Sequence, residues 1–191
     1  MMSRRSFLYA CGIGVAGLAL GGCSAASPAP SAPAVRLAPD RVTAETRLFD
    51  IIENPLFKGF GRLLFPTGFR EPTEDMTLAD LSDILPWYSE VHTSTSIDIV
   101  SYLLDQRADG RTLFYDIYSE EEKAADPTLA DTGLFRFAAE GLADGERAPF
   151  AIWCSGGGFA YVAAMHDSFP HCLHLARAGL NGFAIIYRPD A

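Results

Sequence analysis

Apolar positions change their period partway along the chain. Up to about residue 110 they recur at the three- and four-residue spacing of a helix face, and residues 40–110 read as mostly helical. "TAETRLFDIIENPLFKGFGRLLFP" opens with Thr43 as a cap and Glu45 in the first turn. It is interrupted at Asn54-Pro55 and again at Gly59 and Gly61. Its Phe and Leu density predicts packing against a larger body. "TLADLSDILPWY" reads as a short capped helix ending at Pro86, and "STSIDIVSYLLDQRADG" as the strongest helix of this part. In the latter, Ile97, Val100, Leu104 and Arg107 share a face and Gly110 is a stop signal.

Beyond residue 110 the pattern becomes that of strands. "TLFYDIYS" and "TGLFRFAAE" are rich in aromatic and β-favouring residues, with the charged connection "EEEKAADPTLAD" between them. "PFAIWC" is a short continuous apolar run, which predicts a strand buried on both faces. "HDSFPHCLHLARAG" predicts a helix with Ser168 as cap, Pro170 in the first turn and Gly179 at its end. Cys172, Leu175 and Ala176 then face one side. "NGFAIIYRP" predicts a second buried strand. Strands alternating with helices imply an α/β fold with about four strands in a largely parallel sheet, preceded by the helical segment.

The first 39 residues carry a different signal. Arg4 and Arg5 precede the short apolar, glycine-rich run "CGIGVAGLALGG", too short for a spanning helix. This is the layout of an export signal over 1–22, and the paired arginines resemble the twin-arginine class. "LGGC" resembles a bacterial lipobox, which makes Cys23 the expected lipid acceptor and first mature residue. The Ser/Ala/Pro-rich stretch over 23–39 serves as a semi-extended spacer. The expected location is the extracytoplasmic side of a membrane, held there by the lipid anchor. Losing Arg4 and Arg5 moves the net charge from −9 to −11. That balance argues against nucleic acid as a partner, since phosphate binding needs clustered Lys and Arg. Cys154 and Cys172 remain as a pair able to bridge outside the cytoplasm.

The candidate chemistry lies in "IWCSGGGFAYV", where a strand runs into Ser155, Gly156, Gly157 and Gly158. A phosphate cradle is disfavoured, because G-x-G-x-x-G requires glycine where Tyr161 stands and no Lys-Ser/Thr follows. Ser155 as a nucleophile is also disfavoured. The elbow G-x-S-x-G requires glycine where Trp153 stands, and the following histidines, His166, His171 and His174, fall in or near the next helix. A helix would split those histidines and Cys172 between faces, so they read as ordinary helix positions rather than metal ligands. His92 reads as an ordinary surface or satisfied histidine. Two readings remain open, a tight turn that needs small residues and a set of backbone N–H donors for an oxyanion.

"FAIWCSGGGFAYVAAMHDSFPHCLHLARAGLNGFAIIYRP" as one block resembles the N-terminal part of an α/β-hydrolase of the esterase/lipase type. The resemblance covers residues 111–191, about two-fifths of the chain. It implies an H-G-G-G-like oxyanion loop after the third strand, formed by Gly156, Gly157 and Gly158, with Ser155 standing where the family usually has histidine. It implies a small-molecule ester substrate, no metal and no organic cofactor. That family places its nucleophile after the fifth strand, followed by Asp/Glu and then His. No G-x-S-x-G occurs in the 191 residues. The expectation is therefore the N-terminal portion of a serine ester hydrolase, inactive by itself, with Phe183, Ile185 and Ile186 left uncovered. The alternative is a non-catalytic lipid-anchored binding protein with an α/β half-sheet.

Overall fold

The computed structural model describes residues 41–66, 70–142 and 146–189. The expected export signal, Cys23 and the spacer lie outside the described residues.

The N-terminal part is built from short turns because its sequence interrupts itself. Helix α1 (Leu48–Ile52) ends before Asn54, whose side chain accepts the Leu56 N–H and starts a 3₁₀ turn at Pro55–Phe57. A second 3₁₀ turn follows at Gly61–Leu64. Gly61 is required there, since a Cβ would lie 2.1 Å from the Ile52 carbonyl oxygen. Thr43 does not cap α1. Its own N–H donates to the Thr46 hydroxyl at 2.9 Å. Thr77 and Asp80 form a reciprocal capping box that leads through a 3₁₀ turn into α2 (Leu81–Ile84). The longest helix among the described residues is α3 (Thr93–Ala108), which buries Ile99, Val100, Leu103 and Leu104. Arg107 reaches from it to the Leu56 carbonyl at 2.9 Å.

Strands β1 (Phe114–Tyr115), β2 (Gly133–Phe137), β3 (Phe150–Cys154) and β4 (Asn181–Ile186) form one mixed sheet in the order β1-β2-β4-β3. β1 with β2 and β2 with β4 are antiparallel, and only β3 with β4 is parallel. The expected largely parallel sheet is thus corrected to a mixed one. A parallel neighbour needs a crossover packed on the sheet, and α5 (Ser168–Arg177) supplies it between β3 and β4. The charged connection after β1 holds a helix the pattern did not predict, α4 (Glu120–Ala125), capped reciprocally by Ser119 and Glu122. It buries no residue, so it does not act as a crossover.

Among the described residues, one face of the sheet is covered and the other is not. On the covered face, Phe135, Phe137, Ala184 and Ile186 pack beneath α3 and α5, and α5 contributes Phe169, Cys172, Leu173 and Ala176. The fit is close: a Cβ on Gly182 would lie 2.6 Å from the Cys172 Cα. Aromatic rings join the helical part to the sheet. Phe60 stacks on Phe114 at 5.2 Å, and Phe135 meets Phe60 and Phe169 edge-on at 5.6 and 5.0 Å. The two parts of the chain therefore share one core. On the other face, Phe150 and Ile152 are 67% and 55% exposed. The prediction that β3 is buried on both faces is corrected, because β3 is an edge strand with no layer over that side among the described residues. Ile186, expected to be uncovered, is buried, while Phe183 and Ile185 are half-buried.

Candidate functional site

The loop after β3 is fastened at three points. The Ser155 hydroxyl donates to Ser168 at 2.7 Å inside the core. The Tyr187 hydroxyl, just past β4, donates to the Ser155 carbonyl at 2.8 Å. The Gly156 N–H donates to the Asp167 carboxylate at 2.6 Å. Asp167 is the N-cap residue of α5, yet its side chain makes no capping bond to its own helix. It holds the glycine loop instead.

The three glycines have different physical roles. Gly157 is needed for close approach, since a Cβ there would lie 1.7 Å from the Tyr161 carbonyl oxygen. Gly158 adopts φ +60°, the left-handed region that favours glycine. Phe159 follows it at φ +65°, a strained conformation for a bulky residue and 75% exposed. Gly156 has neither requirement. Its Cβ would meet only the Asp167 carboxylate, at 3.6 Å. Its N–H is already engaged by Asp167, so it is not an open donor. Among the described residues, the N–H groups of Gly157 and Gly158 donate to no acceptor. Two of the three predicted donors are therefore open at the surface of a fastened loop.

The segment between loop and helix closes back on the N-terminal part. Tyr88 donates to the His166 carbonyl at 3.3 Å, and the Trp87 indole N–H donates to the Tyr161 hydroxyl at 3.1 Å. The His166 ring is 6% exposed, and neither of its nitrogens has a partner among the described residues. Burial pushes its pKa down to about 4. Burial raises the Tyr88 hydroxyl, helped by the negative charges of Asp167 and Glu90. The Tyr187 hydroxyl is raised mainly by burial and further by Cys154, Asp167 and Tyr161. The neighbourhood of the open N–H groups is thus aromatic and acidic.

Ser155 is 3% exposed and bonded to Ser168, not to a histidine, which makes it an anchor of the loop. The histidines after it are not brought together. His166 is buried, His171 stacks on Trp153 at 5.1 Å, and His174 is exposed. Cys154 and Cys172 are both free, one exposed and one buried, and burial raises the Cys172 thiol to about 12. Ser168 lies inside α5 rather than capping it. Sequence reasoning missed Asp167, Tyr187, Trp87 and Tyr161 as parts of the site. An acidic residue at the N-cap of the helix after the loop was the one local signal available for Asp167. Comparison with family models, curated proteins and solved structures finds no match for this chain.

Proposed function

We propose that this chain is the oxyanion-binding portion of an α/β-hydrolase-type serine esterase or lipase, exported and held at a membrane through a lipid on Cys23. One observation carries the reading: a loop directly after the third strand, fastened at Ser155 and Gly156, that leaves the Gly157 and Gly158 N–H groups open. Acyl transfer passes through a tetrahedral intermediate whose oxygen becomes negative. Donors already in place stabilise that charge without reorganising. The Asp167 bond and the left-handed backbone at Gly158 and Phe159 supply this preorganisation. The attacking serine, its base and the acid that orients it are not among these residues, since no elbow motif occurs and Ser155 is buried. On this reading they follow in sequence, and their layer covers the open face of the sheet.

Reading the coding DNA past codon 191 tests this. An open frame with G-x-S-x-G, then Asp or Glu, then His, is the expected result. A stop codon directly after Ala191 would withdraw the enzyme reading for this chain.

A second reading has its own observation. The uncovered sheet face carries an open depression of 390 Å³ lined by Tyr115, Leu134, Arg136, Phe150, Asn181 and Phe183. A lipid-anchored binding protein without catalysis would use that surface. It predicts the immediate stop codon and a stable, soluble product.

A further inference from the structure

The open face of the sheet is apolar except at one corner. Side chains alternate along a strand, so β2 turns Leu134 and Arg136 to this side, β4 turns Asn181 and Phe183, and β3 turns Phe150 and Ile152. Among these, Arg136 alone is charged. It stands half-buried in β2, directly across from Phe183. Its guanidinium donates to the Asn181 side-chain oxygen at 3.3 Å, and no carboxylate pairs with it among the described residues. The same oxygen accepts the Ala139 N–H at 3.3 Å, while the Asn181 amide nitrogen donates to no acceptor among the described residues. A guanidinium carries five N–H donors, and partial burial without a counter-charge leaves most of them to water. This polar corner opens onto a depression of 390 Å³ whose lining Tyr115, Leu134, Phe150 and Phe183 complete. The size falls within the range of about 300–1,000 Å³ common for small-molecule sites. Phe150 stands edge-on to Phe183 at 5.9 Å and is 67% exposed. Fixed cationic donors at one end and bare apolar rings along the rest are the two halves of a site for an amphiphile.

We propose that this face binds a free fatty acid, with its carboxylate on Arg136 and Asn181 and its alkyl chain across Phe183 and Phe150. This deepens the second reading, of the open face as a binding surface, and rests on it. Arginine presents its N–H groups in a planar fork that matches a carboxylate, and such charge-assisted bonds are roughly twice as strong as neutral ones. Arg136 is the one cation lining the depression, which suits a single negative charge. The net charge of −9 works against a more highly charged head group. The alkyl chain removes apolar side chains from water, and the carboxylate supplies the counter-charge that Arg136 lacks, so head and tail act together. None of the lining residues belongs to the glycine loop or its fastenings, so the site is separate from the oxyanion donors.

The test titrates the purified chain with decanoate and with its neutral analogue decanamide, both below micellar concentration. Amide ¹H–¹⁵N shifts along β3 and β4 report the face, and the Arg136 Nε–H signal reports the head group. Decanoate is expected to move both sets and to bind at least about tenfold more tightly than decanamide. Arg136→Gln is expected to bring decanoate down to the affinity of decanamide. Its urea midpoint should change little, since Arg136 holds no ion pair in the fold. Equal affinity for the two probes, or decanoate binding that Arg136→Gln leaves intact, would overturn the fatty-acid site and leave the face standing as an apolar binding surface. No shift on β3 or β4 with either probe would overturn both the site and the second reading's use of this face. Shifts that grow with protein concentration and that decanoate does not displace would assign the face to a second copy of the chain and overturn the proposal. Shifts with phosphatidylglycerol vesicles but not with decanoate would assign it to a membrane surface, with the same consequence.

Discussion

Lowering the pH should destabilise this protein through one side chain before its carboxylates begin to titrate. His166 is buried with neither ring nitrogen bonded among the described residues, and its pKa falls from 6.5 to about 4. The folded state therefore favours the neutral ring, and the unfolded state binds the proton first. Stability from this group is complete above pH 6.5 and is lost as the pH falls towards 4. A displacement of that size corresponds to about 3 kcal/mol when fully expressed, and to about 2 kcal/mol already at pH 5. That is a large fraction of the 5–15 kcal/mol typical of a folded domain, as an order of magnitude. The carboxylates of Glu45, Asp75, Asp80, Glu122 and Asp126 sit below their ordinary values through local hydrogen bonds. Their contribution is present above the usual carboxylate range and is lost only at lower pH, so the two windows separate. Urea unfolding at pH 7.5, 6 and 5 measures the effect, with His166→Leu as the comparison. The native protein should lose stability across this series, while the leucine variant stays nearly level. It should also be no less stable at pH 7.5, because two unpartnered polar atoms are gone. A native protein as stable at pH 5 as at pH 7.5, or a leucine variant with the same slope, would refute the reasoning.

Phe135 is fully buried among Phe60, Phe114 and Phe169, so Phe135→Ala should cost about 3–5 kcal/mol in urea unfolding. Phe150, 67% exposed on the open edge strand, should tolerate Phe150→Lys within about 0.5 kcal/mol. That change should also reduce association seen by light scattering, since a charge blunts a bare edge. Cys23→Ser should release the protein from the membrane fraction into the soluble fraction of cells, and unchanged sedimentation with membranes would remove the lipid anchor from the account.

The pattern of the chain revealed elements better than layers. α3 and α5 were legible from helical spacing and a terminal glycine, and Gly110 and Gly179 do adopt φ +78°. The continuous apolar run of β3 looked doubly buried, because periodicity records that both faces are apolar and not whether a second layer is present. α4 was missed because a helix that buries nothing has no apolar stripe to read. At the site, the glycines announced an unusual backbone. Their fastening could not be read, since it comes from residues 11 and 32 positions away, Asp167 and Tyr187. Nor did any spacing rule link Trp87 to Tyr161, which lie 74 residues apart. His166 looked like an ordinary helix position, and only its burial distinguishes it.

The central claim is that the Gly157 and Gly158 N–H groups stabilise an oxyanion, and Gly157→Ala tests it most directly. The added Cβ would lie 1.7 Å from the Tyr161 carbonyl, so the loop has to move and carry its donors out of position. In the protein expressed from its full coding region, turnover of a short-chain ester should fall by about 100- to 1,000-fold in kcat, with KM little changed. Gly158→Ala should lower kcat in the same direction by straining the left-handed backbone. Gly110→Ala imposes comparable strain at the end of α3, away from the loop, and should leave kcat unaltered. A folded Gly157→Ala protein with undiminished kcat, or an ester turnover that depends on Ser155 as its nucleophile, would contradict the account.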